Sequence, residues 1–241
     1  MSRQARQRSI TDVYHVIQRG IDRTSIFFED NDRQMFVDLL RSQTCASFQV
    51  YCYCLMDNHI HLIIKSDQLS FYIHRIFTTY AVWFNHKYER TGYLFQNRFK
   101  SEVIEDQGYL LRCFRYVLQN PLKAGLCRKV AEYKWSSYPV YFNPVDSFVA
   151  TEFLTLFFDN KADFQSFIAE EDTGTFMDID SPLKDSEVRE LLDEASGDRK
   201  FDTLPKEEQK QILKSLKQNP RIGQRQLARI TGISLNVIHR L

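Results

Sequence analysis

The spacing of apolar residues divides the first 141 residues into an ordered series of strands and helices. Runs of β-branched and aromatic residues predict strands, whereas apolar residues that recur every three or four positions predict helices. In chain order these are a strand over 14–19, a helix over 31–45, a hairpin that turns at Asp57-Asn58, a helix over 69–88, a broken strand over 93–105 and a helix over 108–120 that Pro121 stops.

The order β-α-β-β-α-β followed by a helix is typical of the ferredoxin-like split βαβ plan, in which helices pack on an antiparallel sheet. We therefore predict an α+β domain over residues 1–141. Residues 142–205 follow as an acidic helical extension whose phenylalanines and leucines give it apolar surface to bury. Within it, residues 169–182 have the acidic, turn-rich composition of a linker.

The end of the chain, residues 206–241, predicts an all-α segment with a helix-turn-helix. Ala228, Gly232 and Ile238 have the required spacing: a small residue lets the helices approach, glycine permits the turn and a branched residue locks the last helix. Helical hairpins without a nucleic-acid role share this pattern. Three basic residues nevertheless favour DNA as the ligand, namely Arg225, Arg229 and Arg240.

Charge is unevenly distributed along the chain, although its net value is only +1. Residues 1–141 hold 19 Lys and Arg against 13 Asp and Glu, residues 142–205 hold 5 against 16, and residues 206–241 hold 8 against 2. Two basic ends around an acidic middle indicate that the ends contact polyanions. Five cysteines, an odd number, and no apolar run near the ~18 residues of a membrane span predict a cytoplasmic protein with reduced thiols.

Two histidines, His59 and His61, lie one residue apart in the apolar run MDNHIHLII. Residues two apart in a strand project from the same face, so both imidazoles converge while Ile60 and Leu62 point the other way. For an isolated pair, two hydrogen-bonded core histidines are the more common explanation.

The helix LLRCFRYVLQNP places Tyr116 and Asn120 one turn apart, so a phenol and an amide share one face. A tyrosine at the edge of the core and an asparagine at a helix end would be the simpler explanation. Together with the two histidines and a basic surface, these residues suggest another assembly. Two imidazoles and an amide oxygen would hold a divalent cation, with a phenol beside it.

Five motifs resemble those of the REP-associated tyrosine transposases, relatives of the single-strand insertion-sequence transposases in the HUH superfamily. They are RGIDR at 19–23, HIH at 59–61, GYLFQNRFKS at 92–101, YVLQNPLKAGL at 116–126 and WSSY at 135–138. The resemblance spans about residues 14–141 and leaves the acidic extension and the terminal helices uncovered. The sequence departs from the family at Asp57, where proline is common, and at RGIDR, where RGNNR is usual.

This resemblance implies a metal-dependent single-strand DNA endonuclease and strand-transferase with a 5′-phosphotyrosine intermediate. His59 and His61 match two metal ligands of the family, Asn120 matches the third and Tyr116 matches the nucleophile. Mg²⁺ or Mn²⁺ is the implied cofactor, although the ligand set alone would also suit Zn²⁺.

The expected partner is single-stranded or hairpin-containing DNA, and no membrane partner is expected. The chain is expected to act as a monomer or a homodimer. Such a site cannot easily engage a phosphate inside a regular duplex, so the bases of the substrate must be accessible to the protein. The candidate DNA contacts in the first domain are Arg19, Arg23, Gln96, Arg98 and Lys100. The rings of Tyr93 and Phe95 are available either to stack on bases or to pack in the core.

Two other functions remain open at this point. Cys54 would lie opposite His61 across a two-residue turn, and Cys52 would share the same face, which would suit a zinc-binding nucleic-acid module without catalysis. Alternatively, the terminal helices would act in a transcriptional regulator whose first domain dimerises or binds a ligand. A covalent protein–DNA adduct separates an enzyme from both.

Overall fold

The structure is a computed structural model that describes residues 7–142, 147–170, 183, 185–197, 199–219 and 222–240. The chain divides into two compact units, Met1–Phe176 and Met177–Leu241. Each unit has a hydrophobic core of its own. No helix in these described ranges is long and apolar enough to cross a membrane.

A sheet of four antiparallel strands organises the first unit. The strands are β1 (Val13–Arg19), β2 (Gln49–Met56), β3 (His59–Lys65) and β4 (Lys100–Val103). Their spatial order is β2-β3-β1-β4. All residues of β1 and nearly all of β2 and β3 are buried, because the sheet is covered on both faces. This strand order is that of the split βαβ plan, so the predicted α+β ferredoxin-like fold is confirmed.

The helices of the first unit are α1 (Asp30–Gln43), α2 (Leu69–Lys87), α3 (Gln107–Lys123) and α4 (Lys161–Ala169). Helices α1 and α2 pack against each other, whereas α3 packs against β2, β3 and α4. Strand β4 is shorter than the predicted strand region over 93–105. The residues before it form a loop that bonds to the end of β1, where the Ile21 N–H donates to the Leu94 carbonyl (2.9 Å).

Helix α3 continues past the proline that the sequence predicts will stop it, so this prediction is wrong. Pro121 lies in the last turn, and the helix ends at Lys123. A proline this close to the end removes one hydrogen bond within the helix. The turn is closed instead by the Ala124 N–H, which donates to the Asn120 carbonyl (2.9 Å). Asn120 therefore lies inside the helix rather than at its end.

The predicted acidic extension, 142–205, is shared between the two units. Its first part packs into the core of the first unit, where Leu154, Phe164 and Ile168 are buried. Its last part belongs to the second unit. Phenylalanines and leucines, rather than net charge, decide this division because their burial is favourable wherever a core is near. Most of the predicted linker, 171–182, lies outside the described residues.

The described part of the second unit is helical. It contains α5 (Asp185–Ser196), α6 (Lys206–Gln218), α7 (Gln224–Thr231) and α8 (Leu235–Arg240). Gly232 caps α7 in the left-handed conformation (φ 70°), and its N–H donates to the Ala228 carbonyl (3.0 Å). Leu227 and Ile238 are fully buried between the helices. The glycine turn and the locking isoleucine are therefore as the sequence predicts.

Candidate active site

The hairpin turn before the two histidines is tied to the segment that leads into α1. The Asp57 carbonyl accepts hydrogen bonds from the N–H groups of Ile26 (2.8 Å) and Phe27 (3.2 Å). The Asp57 carboxylate forms an ion pair with Arg33 of α1. Asp57, which stands where the family that the sequence resembles commonly has proline, therefore anchors the turn.

A glycine at the end of β1 permits a close approach of two loops. The Gly20 N–H donates to the Asn58 carbonyl (2.9 Å). A Cβ atom at this position would lie 2.2 Å from the Thr24 carbonyl oxygen, which is backbone and cannot move aside without shifting the chain. Only glycine fits here, and the start of β3 is thereby held beside the end of β1.

His59 and His61 project from the same face of β3, with their ring centroids 4.9 Å apart. The Nδ1 atom of His59 lies 2.6 Å from Oδ1 of Asn58, and the Nδ1 atom of His61 lies 3.2 Å from Nε2 of His15. Both hydrogen bonds use the Nδ1 atom of the ring. The Nε2 atom of His61 is buried and has no hydrogen-bond partner among the described residues.

His61 is kept in its neutral form. Its side chain is 2% exposed, and burial lowers its pKa well below the ordinary value, with further lowering from His59, His15 and Arg19. Loss of hydration penalises the imidazolium ion, and nearby positive charge does so as well. Neutral imidazole is the form that binds a cation.

Helix α3 places Tyr116 against the histidines. The Tyr116 ring centroid lies 5.5 Å from that of His61 and 5.8 Å from that of His15, both in edge-to-face geometry. Tyr116 is only 3% exposed. The ammonium group of Lys123 lies 5.2 Å from the centre of the Tyr116 ring. The structure therefore brings His59, His61 and Tyr116 together.

Asn120 lies one helical turn after Tyr116 and is half-buried. Its Nδ2 atom donates to the Tyr116 carbonyl (2.8 Å), so the side-chain oxygen is the atom that could face a cation. The sequence places these two residues on one face of a helix, and the structure agrees.

Two polar residues of α3 fix this helix against the segment that contains α4. The Gln119 amide donates to the carbonyls of Ile168 (2.7 Å) and Glu170 (2.8 Å). The Arg115 Nε donates to the Phe167 carbonyl (2.8 Å), and its guanidinium forms an ion pair with Glu170. Because each anchor directly precedes Tyr116 or Asn120 in sequence, the acidic extension helps to orient the candidate site.

The predicted DNA contacts of the first unit differ in exposure. Gln96, Arg98 and Lys100 are exposed, Arg23 is half-buried and Arg19 is buried. Arg19 lies directly opposite His59 in the register of β1 and β3. The Gln96 N–H donates to the Arg19 carbonyl (3.0 Å), which attaches the exposed loop to the histidine end of the sheet.

The two aromatic residues of that loop have different environments. Phe95 contacts the rings of Phe77 (5.2 Å) and Tyr80 (6.5 Å) in the core. Tyr93 is 85% exposed. Of the two, Tyr93 is the one available to stack on a base.

The predicted DNA contacts of the second unit are only partly described. Arg229 on α7 is 68% exposed and forms an ion pair with Asp185 (2.7 Å). The side chains of Arg225 and Arg240 lie outside the described residues. An exposed ion pair of this kind contributes little to stability.

Sequence reasoning missed His15 and Lys123. His15 is fully buried in β1 and bonds to His61. The signal was present in YHVIQR, because strand alternation puts His15 and Arg19 on one face. The register between β1 and β3, which sequence does not supply, was needed to connect that face to His61.

The alternative zinc site has the predicted register, since Cys54 lies opposite His61. Burial raises the pKa of Cys52 to about 12 and that of Cys54 well above its ordinary value, so both are protonated thiols in the metal-free protein. Across the described ranges, no group of three or more His, Cys, Asp or Glu side chains is arranged to hold a metal ion.

The chain is similar to one solved structure and to two family models. A search of curated proteins gave no match. Among solved structures, the chain is similar to one described as "Structure of the REP associates tyrosine transposase bound to a REP hairpin". Sequence identity is 17%, the alignment covers 62% of this chain and 91% of that chain, and the TM-score is 0.49.

Two family models match separate parts of the chain. Residues 10–120 match the family described as "Transposase IS200 like", and residues 209–241 match "Winged helix-turn-helix DNA-binding". The first match contains β1 to β4, both histidines, Tyr116 and Asn120. Over residues 10–120 the chain is thus similar to the IS200-like transposases, and it is a transposase-like DNA-binding protein with a C-terminal helix-turn-helix.

Proposed function

We propose that the chain is a metal-dependent single-strand DNA endonuclease and strand-transferase that acts through a 5′-phosphotyrosine on Tyr116. The observation that carries this proposal is the position of the Tyr116 ring, 5.5 Å from the ring of His61, whose buried Nε2 has no hydrogen-bond partner among the described residues. A merely structural histidine would normally satisfy that nitrogen, because an unpaired buried polar atom costs ~1–3 kcal/mol.

The donor set fits a divalent cation. His59 and His61 would hold it through Nε2 and Asn120 through its side-chain oxygen, and three neutral ligands leave positions for phosphate oxygens and water. Mg²⁺ or Mn²⁺ suits this role in phosphoryl transfer. When bound, such a cation polarises the scissile phosphate and stabilises the negative charge on the leaving 3′ oxygen.

Tyr116 would supply the nucleophile. Its phenolic oxygen attacks phosphorus, so a bond from phosphorus to Oη forms as the bond to the 3′ oxygen breaks. The phenolic proton passes to solvent, and the departing 3′ oxygen takes up a proton. The product retains a phosphodiester to tyrosine, so a second 3′ hydroxyl can attack it, restore the phenol and rejoin DNA without ATP.

Single-stranded or hairpin-containing DNA is the substrate class that this proposal requires. Tyr116 and His61 are buried between α3 and the sheet, where the phosphates of a regular duplex cannot reach them. The exposed residues Gln96, Arg98 and Lys100 lie on the segment that bonds to the histidine end of β1. Basic side chains at this place can guide a flexible single strand toward the histidines.

A labelled single strand and the full chain test the proposal. Incubation with Mn²⁺ should give a denaturation-resistant species in which protein is joined to the DNA 5′ phosphate. Tyr116→Phe should abolish this species while DNA binding and the melting temperature stay unchanged, because one hydroxyl is removed and little apolar volume is lost. Tyr109→Phe, on the same helix, is the matched control and should form the adduct normally.

Two results would contradict the proposal in different ways. An adduct retained by Tyr116→Phe would exclude this residue as the nucleophile. Cleavage by the wild-type chain without any adduct would exclude the covalent mechanism and favour attack by water.

A further inference from the structure

A third histidine lies beside the proposed metal ligands without belonging to them. His15 of β1 is fully buried, and its Nε2 atom lies 3.2 Å from Nδ1 of His61. The two rings are stacked with their centroids 5.4 Å apart and their planes at 17°. Such contacts hold the His61 ring on two sides, since Tyr116 meets it edge-on.

We propose that His15 is a positioning residue that holds His61 in the orientation and tautomer needed to bind the cation through Nε2. This inference rests on the proposed metal-dependent function. His15 itself does not touch the cation or the phosphate; it acts through His61.

The argument follows from the single proton of a neutral imidazole. If His61 carries that proton on Nδ1, it donates to Nε2 of His15, and its own Nε2 keeps a lone pair for a ligand. If the proton is on Nε2 instead, a buried N–H has no acceptor among the described residues, and the atom cannot bind a cation. Only the first arrangement gives His61 the lone pair that a metal ligand requires, and in it the proton of His15 lies on the buried Nδ1 atom of that ring, so His15 accepts through Nε2.

Strand register explains why His15 is the residue that can do this. Directly opposite His61 on β1 lies Ile17, whose side chain has no hydrogen-bonding group. His15 is paired with Ile63 and reaches His61 diagonally, as long side chains on one sheet face can. Asn58 occupies Nδ1 of His59 in the same way, so each proposed histidine ligand has its own orienting partner.

Binding of Mn²⁺ to the full chain without DNA tests the inference by a readout other than activity. Free Mn²⁺ is measured by electron paramagnetic resonance for the wild type, His15→Phe, His15→Gln and the control Ile17→Val. His15→Phe keeps a ring for stacking but removes the acceptor, so its Kd should rise ~10- to 100-fold. His15→Gln, whose amide oxygen can accept, should recover part of the affinity. Ile17→Val trims the residue opposite His61 and should leave the Kd unchanged.

Nitrogen-15 NMR of the metal-free wild type gives a second test that needs no variant to fold. The chain has six histidines, so long-range nitrogen–proton spectra can be assigned. His61 should carry its proton on Nδ1. A proton on Nε2 of His61 would overturn the inference.

The outcomes separate this inference from the proposed function. If the wild-type chain binds no Mn²⁺, both the proposed metal-dependent function and the role of His15 are overturned. Wild type that binds Mn²⁺ while His15→Phe binds it equally well overturns only the role of His15. Equal weakening by His15→Phe and Ile17→Val would assign the effect to packing and would also overturn it.

Discussion

The ammonium group of Lys123 lies 5.2 Å from the centre of the Tyr116 ring on the same helix. Lys123 is exposed, whereas Tyr116 is almost completely buried. A positive charge therefore stands on the solvent side of the proposed nucleophile, where an incoming phosphate would arrive. Such a charge would attract the phosphate and stabilise the developing negative charge.

We expect Lys123→Met to slow formation of the covalent adduct about 100-fold, because a preorganised charge near the reacting oxygens is lost. Lys123→Arg should retain most of the rate. Lys65→Met, at the opposite end of β3, is the control and should react like the wild type. Single-turnover assays with labelled single-stranded DNA measure the rate, and equal rates for Lys123→Met and wild type would remove Lys123 from the mechanism.

Removal of divalent metal should abolish cleavage without unfolding the first unit. A large apolar core, rather than the metal, holds that unit together, so the melting temperature of the chelated protein should change little. Added Mg²⁺ or Mn²⁺ should restore cleavage. Purified protein that carries stoichiometric Zn²⁺ and melts when stripped would instead support the zinc-binding module.

A buried carboxylate at the start of α1 should make stability depend on pH. Asp32 accepts hydrogen bonds from the N–H groups of Phe28 and Glu29 and from the Tyr88 hydroxyl, and it pairs with Lys87. Burial alone raises its pKa, but the hydrogen bonds, first that of Lys87, outweigh it and leave the pKa below the ordinary value. A depressed carboxyl pKa contributes stability above the unfolded pKa, and this contribution is lost as the pH falls through the folded pKa.

Asp32→Asn should therefore lower the free energy of unfolding by ~3 kcal/mol at pH 7, since a buried ion pair loses one partner. The difference from wild type should shrink as the pH falls below about 4, where the unfolded carboxyl takes up a proton, and it should be lost once the pH passes the lower pKa of the folded carboxyl. Urea unfolding at pH 7 and at low pH measures both values. Asp38→Asn, on an exposed position of the same helix, should show neither effect. A constant difference at all pH values would argue against the charge as the cause.

Deletion of residues 177–241 should weaken duplex DNA binding but leave cleavage of a short single strand intact, because all proposed catalytic residues precede 121. The lost binding should be salt-dependent, with each phosphate contact contributing ~0.9 to the log-log slope. A chain that stops at 141 should behave differently. It lacks the carbonyls that Arg115 and Gln119 bind, so it should melt at a lower temperature. Loss of cleavage by the longer, folded fragment would contradict this division.

Tyr93 should contribute to single-strand binding through its ring. Its exposure of 85% means that Tyr93→Ala should leave the melting temperature unchanged. Stacking on one base is worth ~1–3 kcal/mol, so the Kd for single-stranded DNA should rise at least severalfold. Fluorescence anisotropy measures this change. Phe71→Ala, which removes another exposed ring near the start of α2, should bind DNA like the wild type.

Local patterns in the sequence are sufficient to predict the order of the strands and helices of the first unit and the local pairing of the proposed site residues. Two-residue alternation put His59 and His61 on one face of a strand, and one-turn spacing put Tyr116 and Asn120 on one face of a helix. These relationships are local, because backbone geometry alone relates residues a few positions apart. The glycine turn at Gly232 is local for the same reason.

Which of these faces meet depends on long-range packing. The contact between His15 and His61 depends on the register of β1 against β3, and that register is set by core packing rather than by either strand alone. Helix α3 continues to Lys123 because a proline in its last turn removes only one hydrogen bond within the helix. Arg115 on α3 donates to the carbonyl of Phe167, and a contact between residues so far apart in sequence cannot be predicted from a periodic pattern. Apolar burial is non-directional, so long-range partners emerge only when the whole core is assembled.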